Sequence, residues 1–173
     1  LYDGPKVKPA IAAVERLGQE LKLNVFVSVW TRFGPVVIFY REYGMVMNLG
    51  FKQGSVFSLT RTATGKLFAA LMAQENCAAV IAGQTFTRDD IRQFTSADFQ
   101  QTLAEIRRLG LSISRSIPTP SVSALAAPIF DADGQILLAI SAFSSASQLD
   151  DDKLTAIGER LLAEANALSG APE

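Results

Sequence analysis

The chain has 173 residues, 49% of them hydrophobic, a size and composition suited to one compact domain with a single core. Its 16 basic and 17 acidic residues and its pI near 5.5 argue against direct binding to nucleic acid or to an anionic membrane surface. The absence of histidine and the single cysteine, Cys77, exclude Ser-His and Cys-His catalytic pairs, an internal disulfide and a zinc knuckle.

The first third of the chain predicts one helix followed by strands. Apolar residues recur at spacings of three and four over residues 7–21, which is typical of a helix with one buried face. Residues 24–30 (NVFVSVW) and 36–40 (VVIFY) are rich in β-branched and aromatic side chains and flank the turn-forming TRFGP. We therefore expect an antiparallel pair, a third strand near residues 45–51, and a turn at 52–55.

The middle of the chain predicts three helices. Residues 62–71 and 74–82 contain good helix formers and few breakers. Ser96 can cap a third helix, whose apolar residues fall on one face before Gly110 ends it.

The last third returns to strands, at residues 111–116, 123–130 and 135–143. Aspartates at positions 150–152 favour a helix N-terminus, and an apolar stripe over residues 154–168 completes the closing helix.

Two groups of strands with helices between them predict an α+β domain built on an antiparallel sheet. The Pro- and Ser-rich residues 116–123 are interpreted as a loop within one domain spanning residues 1–173. No stretch approaches the roughly 18 apolar residues of a membrane span, so we expect a cytoplasmic protein with no membrane partner.

The segment TRTATGKLFAALM suggests a phosphate-binding loop, but Thr60 and Leu67 replace the Gly and the Ser or Thr that such a loop requires. Residues 63–65 still place small side chains and N–H groups at a predicted helix start, which favours a small anion such as a carboxylate. An ordinary capped helix start is the alternative.

Other polar clusters have simpler interpretations. DADG (residues 131–134) lacks the remaining ligands of a calcium loop, and the aspartates of LDDDK (residues 149–153) suit helix capping. Cys77 lies in an apolar context typical of a buried thiol. Arg61 and Arg115 border loops and could pair with a carboxylate ligand, or form ordinary surface contacts.

Four segments in this order resemble the effector-binding domain of IclR-type bacterial transcription regulators. They are TATGKLFAAL (residues 62–71), LAEIRRLGLSIS (103–114), LAAPIFDADGQILLAIS (125–141) and the closing helix. The resemblance implies a six-stranded antiparallel sheet flanked by helices, related to the GAF and PAS sensory folds. It also implies a homodimer or homotetramer that binds a small organic acid effector, with no catalytic residue, metal or cofactor. DNA is expected to be contacted only through an N-terminal winged helix-turn-helix domain, which we expect this chain to lack.

The resemblance also implies a pocket between the sheet and the TATGK loop. Backbone N–H groups of the loop would receive the carboxylate, and strand residues would enclose the rest of the ligand. The predicted site comprises Val46, Leu49, Phe57, Ala63, Thr64, Gly65, Ser114, Arg115, Val122, Ala124, Ser141 and Phe143.

Departures from the family pattern bear on the ligand. The strand before the Pro-rich loop contains Ser114 and Arg115 where many members have an acidic residue, and Ala124 and Phe143 stand where members that bind small oxo acids have polar side chains. These replacements favour an aromatic or longer carboxylic acid.

Two alternatives remain open at this stage. The chain could be a GAF-like sensory module of another signalling protein, such as a kinase. It could also be a small acyl- or phosphate-handling enzyme with Thr64 or Ser141 as nucleophile, although no general base is evident without histidine.

Overall fold

The structure, a computed structural model, describes residues 4–83, 88–115 and 121–170. Helices and strands fall close to the predicted positions. In chain order the elements are α1 (Val7–Leu21), β1 (Asn24–Thr31), β2 (Gly34–Arg41), α2 (Ala63–Leu71), α3 (Gln74–Ala82), α4 (Arg88–Thr95), α5 (Ala97–Leu109), β3 (Ser112–Arg115), β4 (Val122–Phe130), β5 (Ile136–Ser145) and α6 (Asp151–Leu168).

The strands form one sheet in the order β2-β1-β5-β4-β3, and every neighbouring pair is antiparallel. The chain therefore has an α+β fold, as predicted. The sheet centre joins the two strand groups through pairing of β1 with β5, in which Phe26 lies opposite Ser141 and Asn24 opposite Phe143. This pairing brings residues more than a hundred positions apart in the chain onto one face.

The prediction of six strands is wrong for the part of the chain that the structure describes, which contains five. The expected strand at residues 45–51 does not form, and Asn48 and Gly50 have positive φ angles of 42° and 75° that interrupt an extended backbone. Residues 54–57 instead lie along β2, where Gly54 N–H donates to the Val37 carbonyl at 2.7 Å and a single bridge joins Val36 to Val56.

Helices cover both faces of the sheet. Helices α1 and α6 pack on one face, where the core includes Leu17, Leu125 and Leu161. Helix α2 lies on the other face with α3, α4 and α5 around it, and its core includes Leu67 and Phe68. Full burial of each such side chain stabilises the fold by about 1.5–3 kcal/mol relative to exposure.

The middle of the chain contains a fourth helix, α4, that was not predicted. Its sequence RDDIRQFT is mostly polar, and only Asp90 and Phe94 are buried, so no apolar stripe marks it. Helix α5 confirms the predicted ends, because Ser96 accepts a hydrogen bond from Phe99 N–H and Gly110 adopts the left-handed conformation.

Of the predicted loop at residues 116–123, positions 116–120 lie outside the described residues, while residues 122 and 123 already belong to β4. The closing helix α6 begins after Asp150, whose side chain accepts a hydrogen bond from Lys153 N–H. No helix in the described ranges is long and apolar enough to cross a membrane.

Candidate ligand-binding cavity

A cavity of about 350 Å³ lies between the sheet, the connection from β2 to α2, and the N-terminus of α2. This volume is in the range of pockets that hold small organic molecules. The residues that line it are Phe26, Leu49, Phe51, Val56, Phe57, Ser58, Arg61, Thr62, Ala63, Thr64, Val122, Ala124 and Phe143.

Aromatic rings form the apolar part of the cavity. The Phe51 ring lies 5.7 Å from that of Phe26, 5.4 Å from that of Phe57 and 5.3 Å from that of Phe143, measured between centroids. The Tyr40 ring stacks on that of Phe143, with 6.2 Å between centroids. Such edge and tilted contacts add about 0.5–1.5 kcal/mol per pair beyond the burial of area. The lining is therefore a packed aromatic cluster that favours a flat apolar ligand body.

The N-terminus of α2 forms the polar end of the cavity. Thr62 is its N-cap and accepts a hydrogen bond from Gly65 N–H at 2.9 Å, while Lys66 N–H donates to the Thr62 carbonyl at 3.0 Å. The N–H groups of Ala63 and Thr64 have no hydrogen-bond partner within the described residues, although both residues are buried. Buried N–H donors of this kind are normally satisfied, so this end of the cavity suits an anionic or carbonyl oxygen.

Gly65 permits the close approach that shapes this end. A Cβ atom at this position would lie 1.9 Å from the Ser58 carbonyl oxygen, far inside contact distance. Any larger residue would push α2 away from the segment that carries Ser58 and Thr62. Gly65 thus brings the capping segment against the first turn of α2.

The side chain of Thr64 attaches the first turn of α2 to the sheet. Its hydroxyl lies 2.9 Å from the Ser141 hydroxyl on β5, and both residues are almost fully buried. Because the two buried hydroxyls are hydrogen-bonded to each other, the contact links the first turn of α2 to the centre of the sheet.

Arg61 lies at the same end, where it is tied to α4. Its Nε donates to Asp90 Oδ1 at 2.9 Å, and the Thr60 hydroxyl donates to the same oxygen at 2.8 Å. The Asp90 side chain is 6% exposed and that of Arg61 is 46% exposed. A buried carboxylate therefore holds a guanidinium beside the cavity.

The structure brings together seven of the twelve predicted site residues in the lining of one cavity. These seven are Leu49, Phe57, Ala63, Thr64, Val122, Ala124 and Phe143.

The other five predicted residues lie outside the lining. Val46 is 64% exposed and, unlike Leu49, does not line the cavity. Arg115 points to the surface, where its Nε donates to Asp151 at 2.9 Å. Ser114 is buried on β3, while Gly65 and Ser141 lie behind the lining and support it through the contacts described above.

Sequence reasoning did not assign six lining residues to the site: Phe26, Phe51, Val56, Ser58, Arg61 and Thr62. The alternation of side chains along β1 could have placed Phe26 in the site, because Phe26 lies on the same face of the strand as Asn24. The sequence indicates Arg61 only as a possible partner of a carboxylate. The others lie in an irregular connection whose path no periodic pattern predicts.

The described residues contain no group of three or more His, Cys, Asp or Glu side chains that could hold a metal ion. Cys77 is fully buried, and burial raises the pKa of its thiol to about 11. Neither feature places a reactive group near the cavity.

A family model described as the C-terminal domain of the bacterial transcriptional regulator IclR matches residues 7–170. The chain belongs to this family. It is thus the IclR-type regulatory domain of a transcriptional regulator, with the GAF-like antiparallel sheet of its relatives. Because members of this family are transcriptional regulators, the family points to a non-enzymatic role.

Solved structures of IclR-type proteins superpose closely on this chain. HmgR of Pseudomonas aeruginosa is 27% identical with a TM-score of 0.83, over 96% of this chain and 66% of that chain. The C-terminal domain of a putative regulator from Vibrio cholerae is 23% identical with a TM-score of 0.81, over 96% of this chain and 98% of that one. The IclR of Thermotoga maritima is 18% identical with a TM-score of 0.81, over 97% and 70% of the two chains. No curated protein matches the chain significantly.

Proposed function

We propose that this IclR-type domain senses a carboxylic acid, aromatic or of comparable apolar bulk, which binds in the cavity with its carboxylate at the N-terminus of α2. The observation that carries this proposal is the pair of buried N–H groups, of Ala63 and Thr64, beside an aromatic lining. Helix N-termini attract anions through these unpaired donors and through the helix dipole.

The composition of the lining supports an acid with a large apolar body. Four phenylalanine rings line the cavity, and Ala124 and Val122 offer no polar group to a small, highly oxygenated ligand. A short oxo acid would leave its polar atoms unsatisfied against these rings, at a cost of about 1–3 kcal/mol for each group. An aromatic acid would instead bury its ring and present a single anionic end.

The same geometry favours binding over catalysis. The Thr64 and Ser141 hydroxyls are hydrogen-bonded to each other, and the chain contains no histidine to act as their general base. A sensor needs only different affinities in two states, and binding then shifts the balance between them. We propose that the effector in this way alters DNA binding by an attached winged helix-turn-helix domain.

We also propose that the domain forms a homodimer or homotetramer, since a change in subunit arrangement would alter the spacing of attached DNA-binding domains. Sedimentation at tens of micromolar should give a dimer or larger species. A monomer at that concentration would contradict this part of the proposal.

Thermal unfolding with benzoate, 3-phenylpropanoate and hexanoate, each paired with its neutral amide, tests the ligand class. A ligand that binds only the folded state raises the melting temperature by mass action. We expect the aromatic acids to raise it more than their amides. If no acid has an effect at 20 mM, the proposed function is wrong.

The proposed contact itself is tested by Ala63→Pro. Proline is tolerated at the first position of a helix, and Thr62 already has the extended backbone (ψ 152°) that a following proline requires. The substitution removes one N–H donor from the cavity, so benzoate affinity should fall at least about tenfold, the equivalent of one hydrogen bond to a charged group.

Ala97→Pro is the matched control. Ala97 is the first residue of α5, follows an extended cap residue (Ser96, ψ 147°), and is exposed away from the cavity. Its replacement should leave benzoate affinity unchanged. Equal losses in the two variants, by calorimetry on folded protein, would show that the α2 N–H groups do not hold the acid.

A further inference from the structure

Arg61 is the only charged residue among the described residues that line the cavity. It lies at the polar end, next to Thr62 and two positions before Ala63, and both of these residues also line the cavity. The Asp90 carboxylate partly offsets the charge of Arg61, but the half-exposed guanidinium still offers hydrogen-bond donors to an anion at this end of the cavity.

Asp90 holds this arginine by one edge of its guanidinium. The contact uses Nε alone, at 2.9 Å from Asp90 Oδ1, and the same oxygen accepts a hydrogen bond from the Thr60 hydroxyl. The two Nη groups of Arg61 have no partner within the described ranges. The two Nη groups of a guanidinium can donate in parallel to the two oxygens of a carboxylate.

We propose that Arg61 is a second anion-binding group of this cavity and determines its selectivity for acids over neutral ligands, and that Asp90 is the positioning residue that orients it. The inference rests on the proposed function of the cavity and goes beyond it. The acid would accept hydrogen bonds from the Arg61 Nη groups on one side and from the α2 N–H groups on the other. Because Asp90 belongs to α4, the contact would also connect the bound acid to that helix.

Nuclear magnetic resonance with ¹⁵N-labelled protein separates the two contacts. Benzoate is titrated to 50 mM, a concentration at which weak binding is still visible, with benzamide as the neutral counterpart. The amide signals of Ala63 and Thr64 report on the helix N-terminus, and the Nε–Hε signal of Arg61, assigned by its loss in Arg61→Lys, reports on the guanidinium. We expect both sets of signals to move with benzoate and to move far less with benzamide.

Variants test the roles of the two side chains. Arg61→Gln can still donate to Asp90, so the fold should persist, while benzoate affinity falls at least about tenfold and benzamide affinity does not change. Asp90→Ala should weaken benzoate binding by releasing Arg61, and Asp90→Asn, which keeps an acceptor oxygen, should recover part of the loss. Arg115→Gln is the matched control, because Arg115 makes the same 2.9 Å Nε contact to Asp151 outside the cavity.

Each result decides between the hypotheses. Shifts at Ala63 and Thr64 without a shift at Arg61, or an unchanged benzoate-to-benzamide ratio in Arg61→Gln, would overturn the role of Arg61 and leave the proposed function intact. Shifts at Arg61 alone would support Arg61 and contradict the helix N-terminus as the carboxylate site. No shift at any of these signals at 50 mM would overturn both.

Discussion

The hydroxyl of Thr64 on α2 lies 2.9 Å from the hydroxyl of Ser141 on β5, with both side chains buried beneath the cavity. We predict that Thr64→Val and Ser141→Ala each lower the free energy of unfolding by about 1–3 kcal/mol, because each leaves the other hydroxyl buried without a partner. The double variant should lose less than the sum of the two. Urea unfolding of the four proteins measures this coupling, and strictly additive losses would mean that the contact contributes nothing.

Gly65 should not tolerate a side chain. The Cβ of Gly65→Ala would lie 1.9 Å from the Ser58 carbonyl oxygen, so α2 must move and stability should fall by about 2 kcal/mol or more. Gly158→Ala in α6 is the control, since its Cβ would meet the ends of two leucine side chains and no backbone atom: Leu111 Cδ2 at 2.7 Å and Leu125 Cδ2 at 3.4 Å. Similar melting temperatures for the two variants would contradict the assigned role of Gly65.

Lys66 should be dispensable for ligand binding. Its side chain lies away from the cavity, beside Gln93, Asp98 and Thr102, and burial lowers the pKa of its ammonium. We predict that Lys66→Ala binds benzoate within about twofold of the original protein, whereas a phosphate-binding loop would require its lysine. If calorimetry showed that Lys66→Ala abolishes binding, the side-chain charge of this loop, and not its backbone N–H groups, would bind the ligand.

The aromatic lining predicts that the cavity prefers aromatic to aliphatic acids and that this preference depends on Phe51. Replacing it with leucine in Phe51→Leu keeps apolar bulk but removes the ring contacts with Phe26, Phe57 and Phe143. Affinity for 3-phenylpropanoate should fall by about 0.5–1.5 kcal/mol, the worth of one aromatic pair, while affinity for hexanoate changes little. Phe33→Leu, at an exposed ring outside the cavity, should change neither.

Cys77 should react with thiol reagents only after unfolding. The side chain is fully buried and burial raises the pKa of its thiol from 9.0 to about 11, so at pH 8 the folded protein contains almost no thiolate. The folded state retains this proton between pH 9 and 11 where the unfolded state loses it, and stability should therefore fall as pH rises through that window. Labelling with and without urea measures the protection, and rapid labelling without urea would contradict it.

The periodicity of apolar residues and the turn-forming residues in the sequence were sufficient to predict most of the helices and strands. The spacing of apolar residues predicted α1, α5 and α6, and runs of good helix formers predicted α2 and α3. The caps at Ser96, Gly110 and Asp150 lie where their local chemistry placed them. These features depend on hydrogen bonds within a few residues of the chain, so they can be recognised without knowledge of distant contacts. The resemblance to the IclR family added the position of the cavity.

Only the tertiary structure determined the features that depend on contacts between residues distant in the chain. The path of residues 45–57, with positive φ at Asn48 and Gly50, moved Phe51 into the cavity and left Val46 exposed. Asp90 contacts Arg61 only because the polar helix α4 places it there. Thr64 contacts Ser141 only because β5, which carries Ser141, pairs with β1 at the centre of the sheet. Each contact joins residues that are distant in the chain, and its free energy depends on packing that local sequence patterns do not encode.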